Sequence, residues 1–177
     1  NKLVRLSLER KGIKVLGVIP YKKIISIPSI AQIKEEIKVD VMWGQDYLGN
    51  LADNIIVSAM APFDVLNYLK ERVLVITPGD REDVITTILS SQLVGGEKNF
   101  DIVGIILTGG IIPHRQVMKI IEKTTIPVLF SKEDTYRVAA RVHDRIIKIR
   151  PEDKEKIKLA VKLVEDYIDL EAIIKAL

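Results

Sequence analysis

Four aliphatic strand patterns, each followed at once by a helical pattern, constrain the fold of this chain more than any other feature. The strand patterns are the Val, Ile and Leu runs "NIIVSAM", "RVLVIT", "DIVGIILTG" and "IPVLFS", which are continuous rather than alternating. Such runs are typical of a parallel sheet that is buried on both faces. Right-handed crossover helices then cover the sheet. Residues 54–144 are therefore predicted to form the core of an α/β domain, with three α/β/α layers and a mainly parallel sheet.

The composition excludes several classes of protein. The 177 residues include no cysteine, which excludes disulfides and thiolate metal sites. The net charge is +3, with basic and acidic residues interleaved, which argues against a nucleic-acid partner. No apolar run reaches membrane-spanning length and no signal peptide is visible, so we expect no membrane partner. The many Lys and Glu residues favour a cytoplasmic protein of a thermophile.

The segments on either side of the core add further elements. Residues 39–44 are predicted to form a strand, residues 151–168 a long helix, and residues 169–177 a short final helix. Near the start, a helix over 3–10, a stop at Gly12 and a strand over 14–19 form the end of an α/β unit rather than a beginning. Since the chain also begins at Asn1, we expect it to be a piece of a longer protein.

Small and polar residues follow the strands of the predicted core. Because the carboxyl ends of parallel strands meet at one edge, they should gather there, and ligands bind beyond this edge where the strand order reverses. Arg81 has a planar guanidinium that suits phosphate or carboxylate, and the helix that starts beside it adds N–H groups. Asp80 can accept from a ribose hydroxyl. The predicted ligand-binding residues are Gly79, Asp80, Arg81, Thr108, Gly109, Gly110, Thr135 and Tyr136.

Structural roles compete with ligand binding at these positions. Asp80 is also a good N-cap for the following helix, with Asp83 in its first turn, and Asp134 is a plausible cap for a later helix. Arg81 can pair with Glu82 or Asp83. Gly109 and Gly110 can form an ordinary strand-to-helix turn. The sequence leaves these alternatives open.

Signals for catalysis and for a resident metal are weak. No G-x-x-x-x-G-K-[ST] motif occurs, so the phosphate cradle of P-loop enzymes is lacking. His114 and His143 are far apart and have no third ligand beside them. Ser58 and Ser131 lack an identifiable base. We therefore predict neither catalytic nor metal-binding residues in this chain.

The pair Asp80-Arg81 on one loop and Thr108-Gly109-Gly110 on the next resembles the DRTGG domain, which is named for these residues. The accompanying stretches "VSAM", "LVITPGDREDVI" and "IPVLFSKEDTY" extend this resemblance over residues 39–177. Residues 1–38, with "GIKVLGVIP" and "IPSIAQIKEEI", resemble the tail of a dethiobiotin-synthetase-like P-loop domain. Such a domain precedes the DRTGG domain in the N-terminal region of some phosphotransacetylases and in archaeal relatives.

The resemblance implies a fold like that of the N-terminal domain of HPr kinase, and a non-catalytic regulatory module that forms homodimers. It implies an adenine nucleotide, or a similar small anion, as the ligand at the strand ends. Binding would then modulate an attached or partner enzyme, either a P-loop protein or an acyltransferase. One alternative is a ligand-free dimerisation domain, assembled through its C-terminal helices. Another is the C-terminal fragment of an ATP-dependent dethiobiotin-synthetase-like or phosphotransacetylase-like protein.

Overall fold

A computed structural model describes residues 2–94, 101–144, 149–151 and 153–175. The helices are α1 (Lys2–Glu9), α2 (Ile30–Ile37), α3 (Pro62–Val65), α4 (Glu82–Val94), α5 (Arg115–Ile121), α6 (Thr135–His143), α7 (Lys154–Tyr167) and α8 (Leu170–Ile174). The strands are β1 (Asp40–Trp43), β2 (Asn54–Val57), β3 (Val73–Pro78), β4 (Ile102–Thr108) and β5 (Val128–Phe130). Short 3₁₀ helices span Lys23–Ser26 and Gln45–Tyr47. The predicted loop at 95–98 lies outside the described residues.

The chain divides into two compact units. Unit 1 combines residues 1–26 with residues 148–177, and unit 2 spans residues 27–147. Unit 2 contains the whole sheet. In unit 1, Gly17 pairs with Ile168 in an isolated antiparallel bridge, and the Asp169 N–H donates to Leu16 O at 2.7 Å.

The five strands of unit 2 form one sheet in the order β1-β5-β4-β3-β2. Strands β2 to β5 run parallel, and β1 joins the edge of β5 in the antiparallel direction. The mainly parallel sheet is therefore confirmed. The four parallel strands follow each other across the sheet in chain order, so their order does not reverse.

Helices cover both faces of the sheet, which confirms the three layers. One core cluster joins β3 and β4 to α3, α4 and α5, with Val75, Ile85 and Ile105 among its buried members. The other joins the opposite face of the same strands to α2 and α6, with Ile33, Ile76 and Val138 buried. All residues of β4 are buried, as a strand covered on both faces requires.

Two predicted elements differ in the structure. Residues 14–19 do not form a strand, since their described pairing is the single bridge at Gly17. The helix predicted after Ala61 ends at Val65, because the next N–H groups bond three residues back: Asn67 donates to Asp64 O and Tyr68 to Val65 O. Bonds of this spacing form turns rather than an α-helix.

Candidate functional site

The loops that follow β2, β3, β4 and β5 all lie at the carboxyl end of the parallel strands. We call this set, residues 58–61, 79–81, 109–114 and 131–134, the carboxyl-terminal rim. Short polar contacts join each loop to the next along the sheet. The rim is therefore one connected surface.

Arg81 joins the first two loops. Its Nη2 donates to Met60 O at 2.9 Å and to Asp83 Oδ2 at 3.0 Å, while Nε donates to Asp83 Oδ1 at 3.0 Å. The hydrogen bond to Asp83 raises the pKa of Arg81 and lowers that of Asp83. The pairing of Arg81 with Asp83 is thus the alternative that forms. A ligand that binds Nε and Nη2 of this guanidinium side by side has to replace Asp83.

Asp80 does not cap α4. The helix begins at Glu82, and the Arg81 N–H donates to Pro78 O at 3.2 Å, so Arg81 occupies the position before the helix. Within the described part of the chain, the exposed Asp80 carboxylate has no hydrogen-bond partner. Of the alternatives left open for Asp80, the cap does not form, because the Pro78–Arg81 turn places Arg81 directly before the helix.

Glu82 joins the second loop to the third. Its Oε1 accepts from the backbone N–H of His114 at 2.6 Å and lies 2.6 Å from His114 Nδ1. The backbone hydrogen bond from His114, followed by the contact with its ring, holds the pKa of Glu82 below its ordinary value. In the sequence, Glu82 is only an acid in the first turn of a helix, a position where the helix dipole favours acids in general. Its contact with His114 is therefore not predictable from the sequence.

The glycine pair joins the third loop to the fourth. Gly109 and Gly110 have φ of 80° and 69°, a region that favours glycine, and their N–H groups donate to Glu133 O and Ser131 O. Beneath them, Thr108 Oγ1 and Thr135 Oγ1 share a hydrogen bond of 2.7 Å. The predicted Asp134 cap is confirmed, since Asp134 Oδ1 accepts from the Arg137 N–H at 3.0 Å.

Gly79 is packed tightly between the second and third loops. Its N–H donates to Thr108 O at 3.1 Å, and a Cβ at this position would overlap the carbonyl oxygen of Ile111. Of the eight predicted residues, six therefore take part in the contacts that connect the rim, and two are exposed and take no part in them. The six are Gly79, Arg81, Thr108, Gly109, Gly110 and Thr135; the two are Asp80 and Tyr136.

Sequence reasoning missed the two buried hydroxyls that the rim covers. Ser58 and Thr77 are 2% and 0% exposed, and Ser58 Oγ and Thr77 Oγ1 have no hydrogen-bond partner among the residues that the structure describes. Both residues belong to the strand ends that the sequence predicts to meet at this edge, but neither is among the eight predicted ligand-binding residues. Whether a buried hydroxyl finds a hydrogen-bond partner depends on how distant elements pack around it, and no local sequence pattern indicates this.

Other features of the described residues bear on the site. No group of three or more His, Cys, Asp or Glu side chains in the described ranges can hold a metal ion. One open cleft of about 300 Å³, lined in part by Asn50, Arg72 and Asp101, lies where the parallel strands begin. It therefore lies at the opposite end of the sheet from the carboxyl-terminal rim.

Comparison with known protein families matches residues 32–145 to the DRTGG domain. Among curated proteins, the phosphate acetyltransferase of Nitratidesulfovibrio vulgaris is 36% identical over 155 residues, covering 86% of this chain and 22% of that protein. The phosphate acetyltransferase of Synechocystis sp. is 31% identical over 167 residues, covering 92% of this chain and 24% of that protein. This chain thus spans about a quarter or less of these relatives.

Among solved structures, the fold is similar to that of the CBS and DRTGG domains of the regulatory region of Clostridium perfringens pyrophosphatase. That crystal structure contains the activator diadenosine tetraphosphate. The TM-score is 0.51 at 14% identity, with 80% of this chain and 67% of that chain covered. At this identity the likeness shows the fold alone.

No helix among the described residues is long and apolar enough to cross a membrane.

Proposed function

This chain belongs to the DRTGG domain family, and we propose that it is a non-catalytic regulatory module that binds an adenine nucleotide or a similar small anion at the carboxyl-terminal rim. Binding modulates an attached or partner enzyme. The observation that carries the proposal is the connected rim itself, in which Arg81, the start of α4 and the glycine pair meet at one edge of the sheet.

The surface of the rim supports a nucleotide as the ligand. Lys132 and Asp80 are exposed and have no hydrogen-bond partner among the described residues, and Tyr136 and Phe63 are 81% and 77% exposed. Aromatic faces can stack with a base, and cations attract phosphate. The pyrophosphatase regulatory region, which shares the fold, binds a dinucleoside polyphosphate as its activator.

The curated relatives support a phosphate acetyltransferase as the attached enzyme. The two relatives described above carry that name, and this chain corresponds to less than a quarter of each. On this proposal, the acetyltransferase chemistry belongs to another part of the longer protein. The assignment of residues 1–38 to the tail of a P-loop domain stays a prediction.

Thermal unfolding with a ligand panel tests the proposal. The panel is AMP, ADP, ATP, diadenosine polyphosphates, cyclic dinucleotides, acetyl-CoA and acetyl phosphate. A ligand at about a hundred times its Kd adds roughly 2.7 kcal/mol of stability. For a chain of this size, the shift in Tm is about 5–10 °C.

Matched variants connect such a shift to the rim. Arg81→Ala should reduce the shift beyond its own loss of stability, whereas Lys119→Ala, an exposed cation on α5, should leave it unchanged. If no ligand in the panel moves Tm, nucleotide binding is rejected and the dimerisation domain becomes the better proposal.

Exposed apolar residues on the C-terminal helices favour that second candidate, a ligand-free dimerisation domain. Val161 and Tyr167 of α7 are 51% and 46% exposed, and Leu170 and Ile174 of α8 are 43% and 71% exposed. A dimer that buries these side chains would dissociate in Val161→Glu when measured by sedimentation velocity. Rim variants would not alter its association.

A further inference from the structure

The carboxylate of Asp83 is held in the way that a bound anion is held. Both of its oxygens accept from Arg81, at 3.0 Å from Nε and 3.0 Å from Nη2. This side-by-side pairing is the geometry with which a guanidinium also binds phosphate. The Arg81 side chain is 28% exposed and that of Asp83 is 50% exposed, so solvent and solutes reach the pair.

Asp83 also lies in the first turn of α4, a helix of 13 residues. The positive end of a helix dipole and its free N–H groups attract anions, including phosphate. Besides the hydrogen bond from Arg81, the backbone N–H of Val84 lowers the pKa of Asp83. The donors around this carboxylate are therefore those of an anion site.

Two buried hydroxyl groups provide an independent indication that the site takes a ligand. The Ser58 N–H donates to Ile76 O at 2.8 Å, which places Ser58 beside Thr77 on neighbouring strands. Because side chains alternate along a strand, those of Ser58 and Thr77 point to the same face of the sheet as Val73 and Val75. On that face, Val73 and Val75 pack in one cluster with Val84 and Ile85 of α4. Both hydroxyls thus lie at the strand ends on the face that α4 covers.

Neither hydroxyl has a partner in the described structure. A buried hydroxyl that makes no hydrogen bond is costly, and in native proteins such a group calls for an explanation, of which a bound water or ion is one. Met60, two residues after Ser58, accepts from the same Nη2 that binds Asp83. Arg81 therefore also holds the loop that begins at Ser58.

We propose that Arg81, the first-turn N–H groups of α4 and the hydroxyls of Ser58 and Thr77 form a site for a phosphoryl group, and that Asp83 is its built-in competitor. In the free chain the carboxylate occupies the site. A phosphoryl group displaces it, accepts from Arg81 and gains the two hydroxyl donors. This inference rests on the proposed function, because it names the part of the anionic ligand that the rim receives.

The experiment is isothermal titration of the full chain with inorganic phosphate and with ATP, using adenosine as the phosphate-free probe. Asp83→Asn keeps the shape of the side chain but removes the competing charge. It should bind phosphate and ATP about tenfold more tightly than the unchanged chain, since one charged hydrogen-bonded pair no longer has to be broken. Its own Tm should fall. Adenosine should show no gain.

Glu122→Gln is the matched control. It also removes one negative charge, but the exposed Glu122 side chain follows α5 and has no hydrogen-bond partner among the described residues. Its affinity for phosphate should change by no more than about twofold, since the charge it removes is solvent-exposed and screened.

The hydroxyl variants test the site without disturbing the ion pair. Ser58→Ala and Thr77→Val remove buried groups that have no partner, so the chain should be no less stable. Both should nevertheless bind phosphate several-fold more weakly. If the two residues had only a structural role, a variant of unchanged stability would bind phosphate as tightly as the unchanged chain.

The outcomes separate this inference from the proposed function. If ATP binds the unchanged chain but Asp83→Asn binds no more tightly, the competitor is rejected and the nucleotide module stands. If affinity is indifferent to Thr77→Val and Ser58→Ala, the phosphoryl site is rejected. If neither the unchanged chain nor Asp83→Asn binds phosphate or ATP, both proposals fail. Tight binding by Asp83→Asn alone supports the site and rejects regulation of the unchanged chain by these ligands.

Discussion

Glu82 and Asp83 are consecutive acids with different partners, and both have a pKa below the ordinary value. For Glu82 that ordinary value is 4.5, and the carboxyl remains charged in the folded chain at lower pH than in the unfolded chain. Its contribution to stability is therefore complete above pH 4.5 and is lost as the pH falls through the lower folded value. We expect the free energy of unfolding to decrease in this window, and Glu82→Gln to flatten the decrease.

Urea unfolding between pH 3 and pH 6, roughly the carboxylate range, measures this effect. Glu122→Gln is the control, since the exposed Glu122 side chain has no hydrogen-bond partner in the described part of the chain. An equal flattening in both variants would show that the His114 contact does not cause the slope.

At the scale of elements, two acids precede helices, but only one of them caps the helix that follows. Asp134 accepts from the Arg137 N–H at the start of α6, whereas Asp80 makes no such bond to α4. Asp134→Ala should cost about 1 kcal/mol of unfolding free energy, because an orphan N–H loses its acceptor. Asp80→Ala should change it by no more than about 0.5 kcal/mol. Equal losses in urea unfolding would restore Asp80 as a cap.

How far the sequence predicts the molecule depends on the range of the interactions involved. The continuous aliphatic runs of β3 and β4 predict buried parallel strands. The structure confirms this prediction, because a strand that is covered on both faces needs an apolar residue at nearly every position, and this requirement is visible in the local sequence. Strand order and the antiparallel β1 are set by pairing between distant segments, which no local pattern encodes. The rim follows the same rule: the residues that gather there are predictable, but the partners of Arg81 depend on one-residue shifts in a turn.

At the scale of the whole molecule, the core belongs almost entirely to unit 2. Among the buried hydrophobic side chains of the described residues, Leu163 alone lies in unit 1. Local opening costs least where few apolar contacts hold a segment. In hydrogen exchange followed by mass spectrometry, we expect β3 and β4 to exchange most slowly and α7 and α8 much faster. Protection of α7 equal to that of β4 would contradict this distribution.

The antiparallel pairing of β1 with β5 has a consequence during synthesis. Trp43 pairs with Val128, so 85 residues have to follow it before its partner exists. At translation rates of about 5–20 residues per second, β1 waits roughly 4–17 s on the ribosome with its edge unpaired. The strands β2 to β5 emerge in the order in which they neighbour one another in the sheet. The first strand of this sheet to be made is thus the last whose partner is made, and its unpaired edge is open to aggregation during this interval.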